Sequence, residues 1–356
     1  MKLKGWRFWL VFSLPIQYFA FRVFASNPIW VEQYYTAGFF KYFTLGLRKL
    51  TSLTSISVGL VLVYVLSALL IFWLGKNIYQ LYMSKKYFKS FAFQLLGGLS
   101  VLYFIYMLTW GLAYHKVPLE ELMHLNKENI TDQELIQLCE DLVEETNVSR
   151  RALNAEMIKA ASLSSTFQKA PEGYQQLDYP FINYTAPSIK KAVGSDLLSY
   201  MSTSGIYMFL SGEANVNANN LAIDVPYVAS HEMAHQMGFA SEDEASFLGY
   251  LACKNHPDPV FRYSGNYGVV YRAIHKVWEI DSTLSKSYYN KLDSLVKQDF
   301  AAERAIWKRF KNPVQVYVVS PFYDLFLKSN GQEEGSRSYD LVIELLVAER
   351  RKNKAK

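Results

Sequence analysis

The chain has 356 residues, of which 51% are hydrophobic and 16% aromatic, with a formal net charge of +5 at pH 7. This apolar content is high for a purely soluble protein. The excess positive charge lies mainly beside the apolar runs and in a basic tail. Because no basic stripe is interleaved with aromatic residues, we expect no nucleic-acid partner. The two cysteines, Cys139 and Cys253, form no disulfide framework; they either pair or remain buried thiols.

Three long apolar runs near the amino terminus predict a membrane anchor at residues 1–114. They lie at 8–25, 54–74 and 90–113, and each is close to the roughly twenty residues that cross a bilayer core. The first run could instead be a cleaved signal peptide, but it is long and aromatic, and its small-residue cleavage pattern is poor. Buried core helices are the alternative for the other two runs.

Positive charges beside these runs predict their orientation, because cytoplasmic flanks carry the excess of Lys and Arg. Such charges occur at the amino terminus and between the second and third runs, at Lys2, Lys4, Arg7, Lys76, Lys85, Lys86 and Lys89. Three crossings then leave residues 26–53 and everything from 115 onward on the far side. Lys41, Arg48 and Lys49 in the first loop weaken this bias without reversing it.

The region 115–356 is predicted to be one domain with many helices and a small sheet. A capping box from Thr131 to Glu134 predicts a helix that runs to about 146. Further helices are expected at 189–201, 267–279, 283–309 and 339–351, and strands at 205–210 and 213–217. The second strand is either an edge on which an extended substrate backbone pairs or a polar hairpin without a special role.

Residues 231–235 read His-Glu-Met-Ala-His, the HExxH pattern. On a helix, His231 and His235 project from one face and can provide two ligands of a tetrahedral Zn²⁺ ion. Glu232 would lie beside the ion as a general base that takes a proton from water and passes it to the leaving group. Pro226 predicts the start of this helix, and Gly238 predicts a left-handed turn after it. The alternative is a helix face whose histidines bind no metal.

The acidic residues at 242–244 offer two candidates for a third ligand. Ser241 and Glu244 fit a capping box that opens a second helix, which would direct Glu244 toward backbone N–H groups. In the gluzincin-type peptidases that this segment resembles, an Asp or Asn four residues after the ligand glutamate supports a zinc-bound histidine. Glu242 has Ser246 at that offset, whose hydroxyl can orient an imidazole, whereas Glu244 has Leu248, which cannot. Glu242 is therefore preferred, and Glu244 is the alternative.

Later tyrosines and a histidine are candidates for binding substrate. Tyr263, Tyr267 and His275 could each donate a hydrogen bond to the oxyanion that develops in the transition state. Tyrosine is frequent in this chain, with 26 occurrences, so each of these residues could equally be structural.

Three spans followed by Ser-His-Glu-Met-Ala-His-Gln-Met-Gly-Phe-Ala and Glu-Asp-Glu-Ala-Ser-Phe-Leu resemble a bacterial family of membrane proteins of unknown function. This family, from Bacteroidetes and Firmicutes, carries a predicted HExxH zinc peptidase domain. The resemblance covers nearly the whole chain. It implies a gluzincin-like, mainly helical fold, one zinc ion and a place in the bacterial envelope, and it names no substrate. In thermolysin-like enzymes the ligand occurs as Glu-Ala, which matches Glu244.

The sequence thus predicts a mainly α protein with three amino-terminal transmembrane helices followed by an α+β zincin-like domain with a small sheet. We expect a zinc metallopeptidase, a hydrolase tethered to the bacterial inner membrane as a multi-pass protein. Its amino terminus would be cytoplasmic, and its domain would act on envelope peptides or proteins from the periplasmic or extracellular face. The alternative is a non-catalytic zinc-containing sensor or peptide-binding scaffold. Glu232 favours the enzyme, since a purely structural metal site needs no general base.

Overall fold

A computed structural model describes residues 5–354, and it is mainly helical with one three-stranded sheet, as predicted. The chain forms two compact units. The first comprises the residues up to Phe43 together with Val58–Val117, and the second comprises Thr44–Ser57 together with everything from Pro118 onward. The boundary near 117 lies close to the predicted one at 114, but residues 44–57 group with the second unit.

The amino-terminal helices include three that are long and apolar enough to cross a membrane, which indicates a membrane protein. These candidate spans are Phe8–Ala25, Val58–Met83 and Lys85–Thr109. The region contains the helices α1 (Gly5–Ala25), α2 (Pro28–Trp30), α3 (Lys41–Thr51), α4 (Val58–Met83) and α5 (Phe88–Thr109), a π-helix at Val31–Phe40, and 3-10 turns at Lys85–Tyr87 and Gly111–His115.

The bounds of the second and third spans differ from the predicted 54–74 and 90–113. Helix α4 begins at Val58 because residues 52–57 form turns, and it continues to Met83 with polar Asn77 hydrogen-bonded within it to the Trp73 carbonyl. Helix α5 ends at Thr109 because Trp110 has φ −153° and ψ −51°, outside the helical region.

Residues 44–57 are fixed to the second unit by a buried lysine. Lys190 Nζ donates to the carbonyl oxygens of Thr51, at 2.7 Å, and Ile56, at 2.8 Å, and forms an ion pair with Glu213. Thr51 Oγ1 lies 2.9 Å from Ser188 Oγ. This stretch of the predicted first loop is therefore part of the same fold as the carboxyl-terminal region.

The remaining elements of the second unit are mostly helices. They are α6 (Leu119–Leu122), α7 (Asp132–Arg151), α8 (Ala155–Ala160), α9 (Leu163–Gln175), α10 (Ser195–Tyr200), α11 (Val225–Gln236), α12 (Glu242–Lys254), α13 (Pro259–Ile280), α14 (Ser282–Lys291), α15 (Ser294–Phe310), a π-helix at Gln315–Val319, α16 (Ser320–Ser329), a 3-10 turn at Gly335–Leu341 and α17 (Val342–Lys354). The capping box of Thr131 and Glu134 at the start of α7 is present as predicted.

The sheet has the order β1-β3-β2, with β1 at Ile189–Lys191, β2 at Gly205–Met208 and β3 at Glu213–Val216. Strand β1 pairs parallel to β3, with Ile189 opposite Ala214, and β2 pairs antiparallel to it, with Ile206 opposite Asn215. Because β3 is hydrogen-bonded on both sides, the predicted role of 213–217 as a free edge is wrong. In the described part of the chain, β2 forms the edge next to α11.

Two further expectations differ from the structure. The helix predicted at 189–201 is instead β1 followed by the short α10, because pairing with β3 determines the conformation of the first residues. The helix predicted at 283–309 is divided into α14 and α15 at Leu292, whose ψ of 139° is extended, with Asp293 capping the second part by accepting from the Leu295 N–H.

Helix α11 lies in the centre of the second unit, and all of its residues are buried. It packs against α9, α12, α13 and the sheet. Helix α12 approaches it closely at Gly249, where a Cβ atom would lie 3.0 Å from the backbone nitrogen of His231. A glycine at this position lets the two helix backbones come together beside the first histidine. Cys139 and Cys253 are both buried free thiols.

Candidate metal centre

The HExxH segment lies on α11, with both ends as the sequence predicts. Pro226 is in the first turn, and the helix ends before Gly238, whose φ of +91° lies in the left-handed region. Gly238 turns the chain into α12, which returns across α11. The imidazoles of His231 and His235 therefore lie side by side, with ring centroids 4.7 Å apart and planes at 90°.

A carboxylate from α12 completes a three-residue cluster. Glu242 Oε2 lies 3.2 Å from His231 Nε2 and 3.6 Å from His235 Nε2, and one ligand atom from each residue lies within 4.8 Å of the others. All three residues are buried. The structure therefore brings the preferred Glu242 to the histidines, and the cluster could hold a metal ion.

Glu244, the alternative third ligand, points elsewhere. Its Oε1 accepts a hydrogen bond of 2.6 Å from the backbone N–H of Leu119, at the start of α6. The predicted capping box with Ser241 is not formed, although α12 does begin at Glu242. Glu244 thus satisfies an orphan N–H of another helix instead of its own.

Both imidazoles are oriented by hydrogen bonds at Nδ1, so that Nε2 of each ring faces Glu242. The His235 Nδ1–H donates to the carbonyl oxygen of Phe239 at 2.6 Å, and His231 Nδ1 lies 3.3 Å from Ser246 Oγ. Ser246 therefore has the contact that the sequence predicts for it. Such partners hold an imidazole in the tautomer and orientation that a metal needs.

Two tyrosines from the carboxyl-terminal part of the chain contact the cluster. Tyr323 on α16 donates to Glu242 Oε1 at 2.8 Å, and its hydroxyl lies 3.0 Å from that of Tyr339. The ring of Tyr339 lies nearly parallel to that of His231, with centroids 6.1 Å apart. Neither residue was predicted as part of the site, because both are far along the chain and nothing in their local sequence separates them from the other tyrosines.

Glu232 lies beside the cluster, against the edge strand. A Cβ atom at Gly205 would lie only 2.5 Å from Glu232 Oε1, so the carboxylate packs directly on the β2 backbone. Burial and the charge of Glu242 raise the pKa of Glu232 to about 8, while His235 and the Tyr207 N–H oppose this shift. Among the described residues, Oε2 of Glu232 and Oε2 of Glu242 have no hydrogen-bond donor.

The carboxylate oxygens without a donor indicate that these residues suit a metal ion. Burial lowers the pKa of His235, but the nearby carboxylate of Glu242 and the charge of Glu232 outweigh it and raise that pKa to about 9. The pKa of Glu242 is well below its usual range, because the two histidines outweigh the effect of burial. Buried carboxylates that attract positive charge, beside two available Nε2 atoms, match the requirements of a cation site.

The candidates from α13 have other partners. The Tyr263 hydroxyl donates to Asp299 Oδ2 at 2.7 Å, and the Tyr267 hydroxyl donates to Glu303 Oε2 at 2.5 Å, so both point to α15. His275 lines a separate cavity of about 550 Å³. The structure does not bring these three side chains together with the cluster.

A larger cavity of about 940 Å³ lies close to the candidate centre. Its lining includes Ser204, next to the start of β2, and Val228, one turn before Glu232 on α11. Arg272 also lines it, and its guanidinium lies over the ring of Tyr339, 5.6 Å from the centroid. The cavity therefore adjoins residues that contact Glu232 and His231.

Fold and site together define a membrane protein with a buried His-His-Glu cluster in a mainly helical unit. The chain belongs to the family described as "Protein of unknown function (DUF3810)", whose family model matches residues 35–347. That region includes α11, α12 and both tyrosines. No curated protein and no solved structure matches the chain.

Proposed function

We propose that this protein is a zinc metallopeptidase tethered to the bacterial inner membrane, with a zincin-like catalytic unit that hydrolyses peptide bonds in the cell envelope. Glu232 is the observation that carries the proposal. A site that only stabilises the fold needs ligands, whereas this one has a buried carboxylate that neither ligates within the cluster nor receives a donor at Oε2 from the described residues.

Zinc suits the three ligands. Zn–N and Zn–O distances of about 2.0–2.1 Å in a tetrahedral site place ligand atoms about 3.3 Å apart. The 3.2 and 3.6 Å between the Nε2 atoms and Glu242 Oε2 are close to this value. Three protein ligands leave a fourth position open, as catalytic zinc sites do. When bound, the ion would activate water and polarise the substrate carbonyl.

Glu232 would move the proton. Its carboxylate is positioned by the β2 backbone, through Gly205 and the Tyr207 N–H. A nearby cation favours the ionised form of a carboxyl group, so Glu232 would act as a base. It would take a proton from the attacking water and donate it to the leaving amine.

Strand β2 would position the substrate. It is one of the two edge strands of the sheet in the described part of the chain, and an extended peptide that pairs with it would pass close to Glu232. The 940 Å³ cavity, which begins beside Ser204, offers room for a substrate side chain. Tyr339, beside His231, is a better candidate for the oxyanion hydrogen bond than Tyr263, Tyr267 or His275.

The proposed orientation is supported by the two stretches of chain that make up the second unit. Residues 44–57 and the residues from 118 onward share one compact fold, so they lie on one side of a membrane. The spans Val58–Met83 and Lys85–Thr109 would then cross as a pair and return the chain to that side. The lysines between them favour the cytoplasm for the intervening turn and the outer face for the second unit.

The test compares purified full-length wild type with Glu232→Gln and with a matched control, Glu156→Gln, at an exposed position on α8. Each protein is assayed for bound zinc and for cleavage of a peptide library. We expect one zinc per chain in all three, and cleavage by wild type and the control only. Equal cleavage by wild type and Glu232→Gln would contradict the mechanism.

A second candidate is the zinc-containing sensor or peptide-binding scaffold. The contacts of Tyr323 and Tyr339 with Glu242 and His231 favour it, because they cover part of the cluster. Stoichiometric zinc without cleavage by any of the three proteins, together with retention of library peptides by wild type, would support this role over the enzyme.

A further inference from the structure

Residues 313–329 form one helical segment with an unusual exposed side. After two α-helical residues it forms a π-helix at Gln315–Val319 and continues as α16, which has Pro321 in its first turn. Five apolar side chains on this segment are 59 to 79% exposed: Val314, Tyr317, Val318, Phe322 and Leu325. Val314, Val318 and Phe322 are four residues apart and Leu325 follows three residues later, so these side chains recur on one side of the helical segment. We call these five residues the exposed stripe.

The opposite side of this segment faces the protein. Leu327 is fully buried, Asn330 just beyond the helix is buried, and Tyr323 donates to Glu242 Oε1. The helix is therefore attached on one face only. A contiguous set of large exposed apolar residues usually marks a surface that meets a partner or a membrane.

We propose that the exposed stripe inserts into the surface of the lipid bilayer in which this chain is anchored. The amino-terminal unit has three helices suited to a bilayer, so lipid is available to the same molecule. Asp324, the single acidic residue within 313–329, forms an ion pair with Lys328. A helix with a strong apolar face and cationic flanks is typical of segments that lie in the membrane interface.

The charges that flank the stripe favour lipid over a second copy of the chain. The exposed cations Lys308, Arg309 and Lys311 precede it in the chain, whereas Lys328, after its last member, is paired with Asp324. These groups match anionic headgroups. A two-fold dimer that brought the amino-terminal ends of two stripes together would place these three cations against their own copies, and such a contact is repulsive.

This placement would also define the substrates, a step that rests on the proposed peptidase function. Tyr323 and the stripe lie on opposite sides of one helix, whose diameter with side chains is about 10–12 Å. Glu242 would then lie roughly one helix diameter above the membrane surface. The accessible peptide bonds would be those in segments of membrane-attached proteins close to the bilayer.

The experiment uses the full chain with a nitroxide spin label at Phe322→Cys, reconstituted as one copy per nanodisc with phosphatidylcholine and phosphatidylglycerol. Cys139 and Cys253 are replaced by alanine in every sample. Collision of the label with oxygen, which concentrates in lipid, is compared with collision with a water-soluble nickel chelate. Phe72→Cys, exposed on α4, is the lipid reference, and Ser287→Cys, exposed on α14, is the water reference.

We expect the oxygen-to-nickel ratio at Phe322 to shift from the Ser287 value toward the Phe72 value, and Leu325→Cys to behave the same way. A ratio equal to that of Ser287 would overturn the proposal. Low access to both reagents would overturn it as well, because it would mean that protein covers the stripe. Circular dichroism and thermal unfolding of each labelled sample, compared with wild type, verify folding. The spin-label measurement does not depend on catalysis, so its result can be interpreted even if the peptidase assay fails.

Discussion

Helices α11 and α16 both contact Glu242, but they are held in place by different means. Every residue of α11 is buried among other helices and the sheet, whereas α16 has one buried face and one apolar face that is exposed. Tight packing fixes a side chain in one position, and a helix packed on one face has fewer contacts to resist movement. The two histidines on α11 are therefore more rigidly placed than Tyr323, which contacts Glu242 from α16.

The largest effect is expected at a ligand on α11. Structural zinc sites bind with about 10–16 kcal/mol through four ligands, so loss of one ligand should cost about 3 kcal/mol, or roughly a 100-fold fall in affinity. We therefore expect His235→Ala to lose zinc in a chelator competition. The matched control, His275→Ala on α13, should retain it. Equal affinities would mean that the cluster is not the metal site.

The contact between α11 and α12 should give the next largest effect. In Gly249→Ala, a methyl group would lie 3.0 Å from the His231 backbone nitrogen, and overpacking of this kind costs about 1–3 kcal/mol. A lower melting temperature, measured by thermal unfolding in detergent, is expected. Gly46→Ala on α3, where no atom lies within 4 Å, should leave the melting temperature unchanged or raise it. An unchanged Gly249→Ala protein would contradict the close packing.

Ser246 should matter less, because it acts on the metal only through His231. Loss of a residue that orients a ligand lowers metal affinity about 10- to 100-fold, and the long contact of 3.3 Å favours the lower figure. We expect Ser246→Ala to weaken zinc binding in the same competition while the melting temperature changes little. Restoration by Ser246→Thr would indicate that the hydroxyl, and not the side-chain volume, is responsible.

The smallest effect is expected on α16. Tyr323→Phe removes one hydrogen bond to Glu242 Oε1, worth about 1 kcal/mol, which corresponds to roughly a fivefold fall in zinc affinity. Tyr317→Phe, in the exposed stripe, is the matched control and should leave zinc affinity unchanged. A loss at Tyr323 as large as that of His235→Ala would show that the two helices contribute equally to the site.

The predictable part of the site rests on local signals. Pro226 and Gly238 mark the ends of α11, and the four-residue offset to Ser246, a rule taken from the resemblance to gluzincin-type peptidases, favoured Glu242 over Glu244. Each of these signals acts within a few residues and does not require the fold to be known. The partner of Glu244 was not predictable, because Leu119 is distant in sequence and approaches only in the folded chain.

The elements that the sequence did not predict depend on distant partners. The sequence pattern at 189–201 is helical, and the first three of these residues form strand β1 because they pair in parallel with β3. The exposed stripe was not predicted either. Apolar residues at helical spacing normally indicate a face that is buried in the protein, whereas these side chains are exposed. Tyr323 and Tyr339 meet Glu242 through the folding of the chain after α15, which no spacing motif encodes.

Residues 44–57 impose an order on the assembly of this protein. Lys190 needs the Thr51 and Ile56 carbonyl groups, which are synthesised before the α4 and α5 spans, whereas β1 is synthesised after them. The second unit therefore cannot be completed until both apolar helices have left the ribosome and the chain has returned. A protein that begins at residue 115 would lack the Thr51 and Ile56 carbonyl groups, so that Lys190 would keep its ion pair with Glu213 but lose these two acceptors.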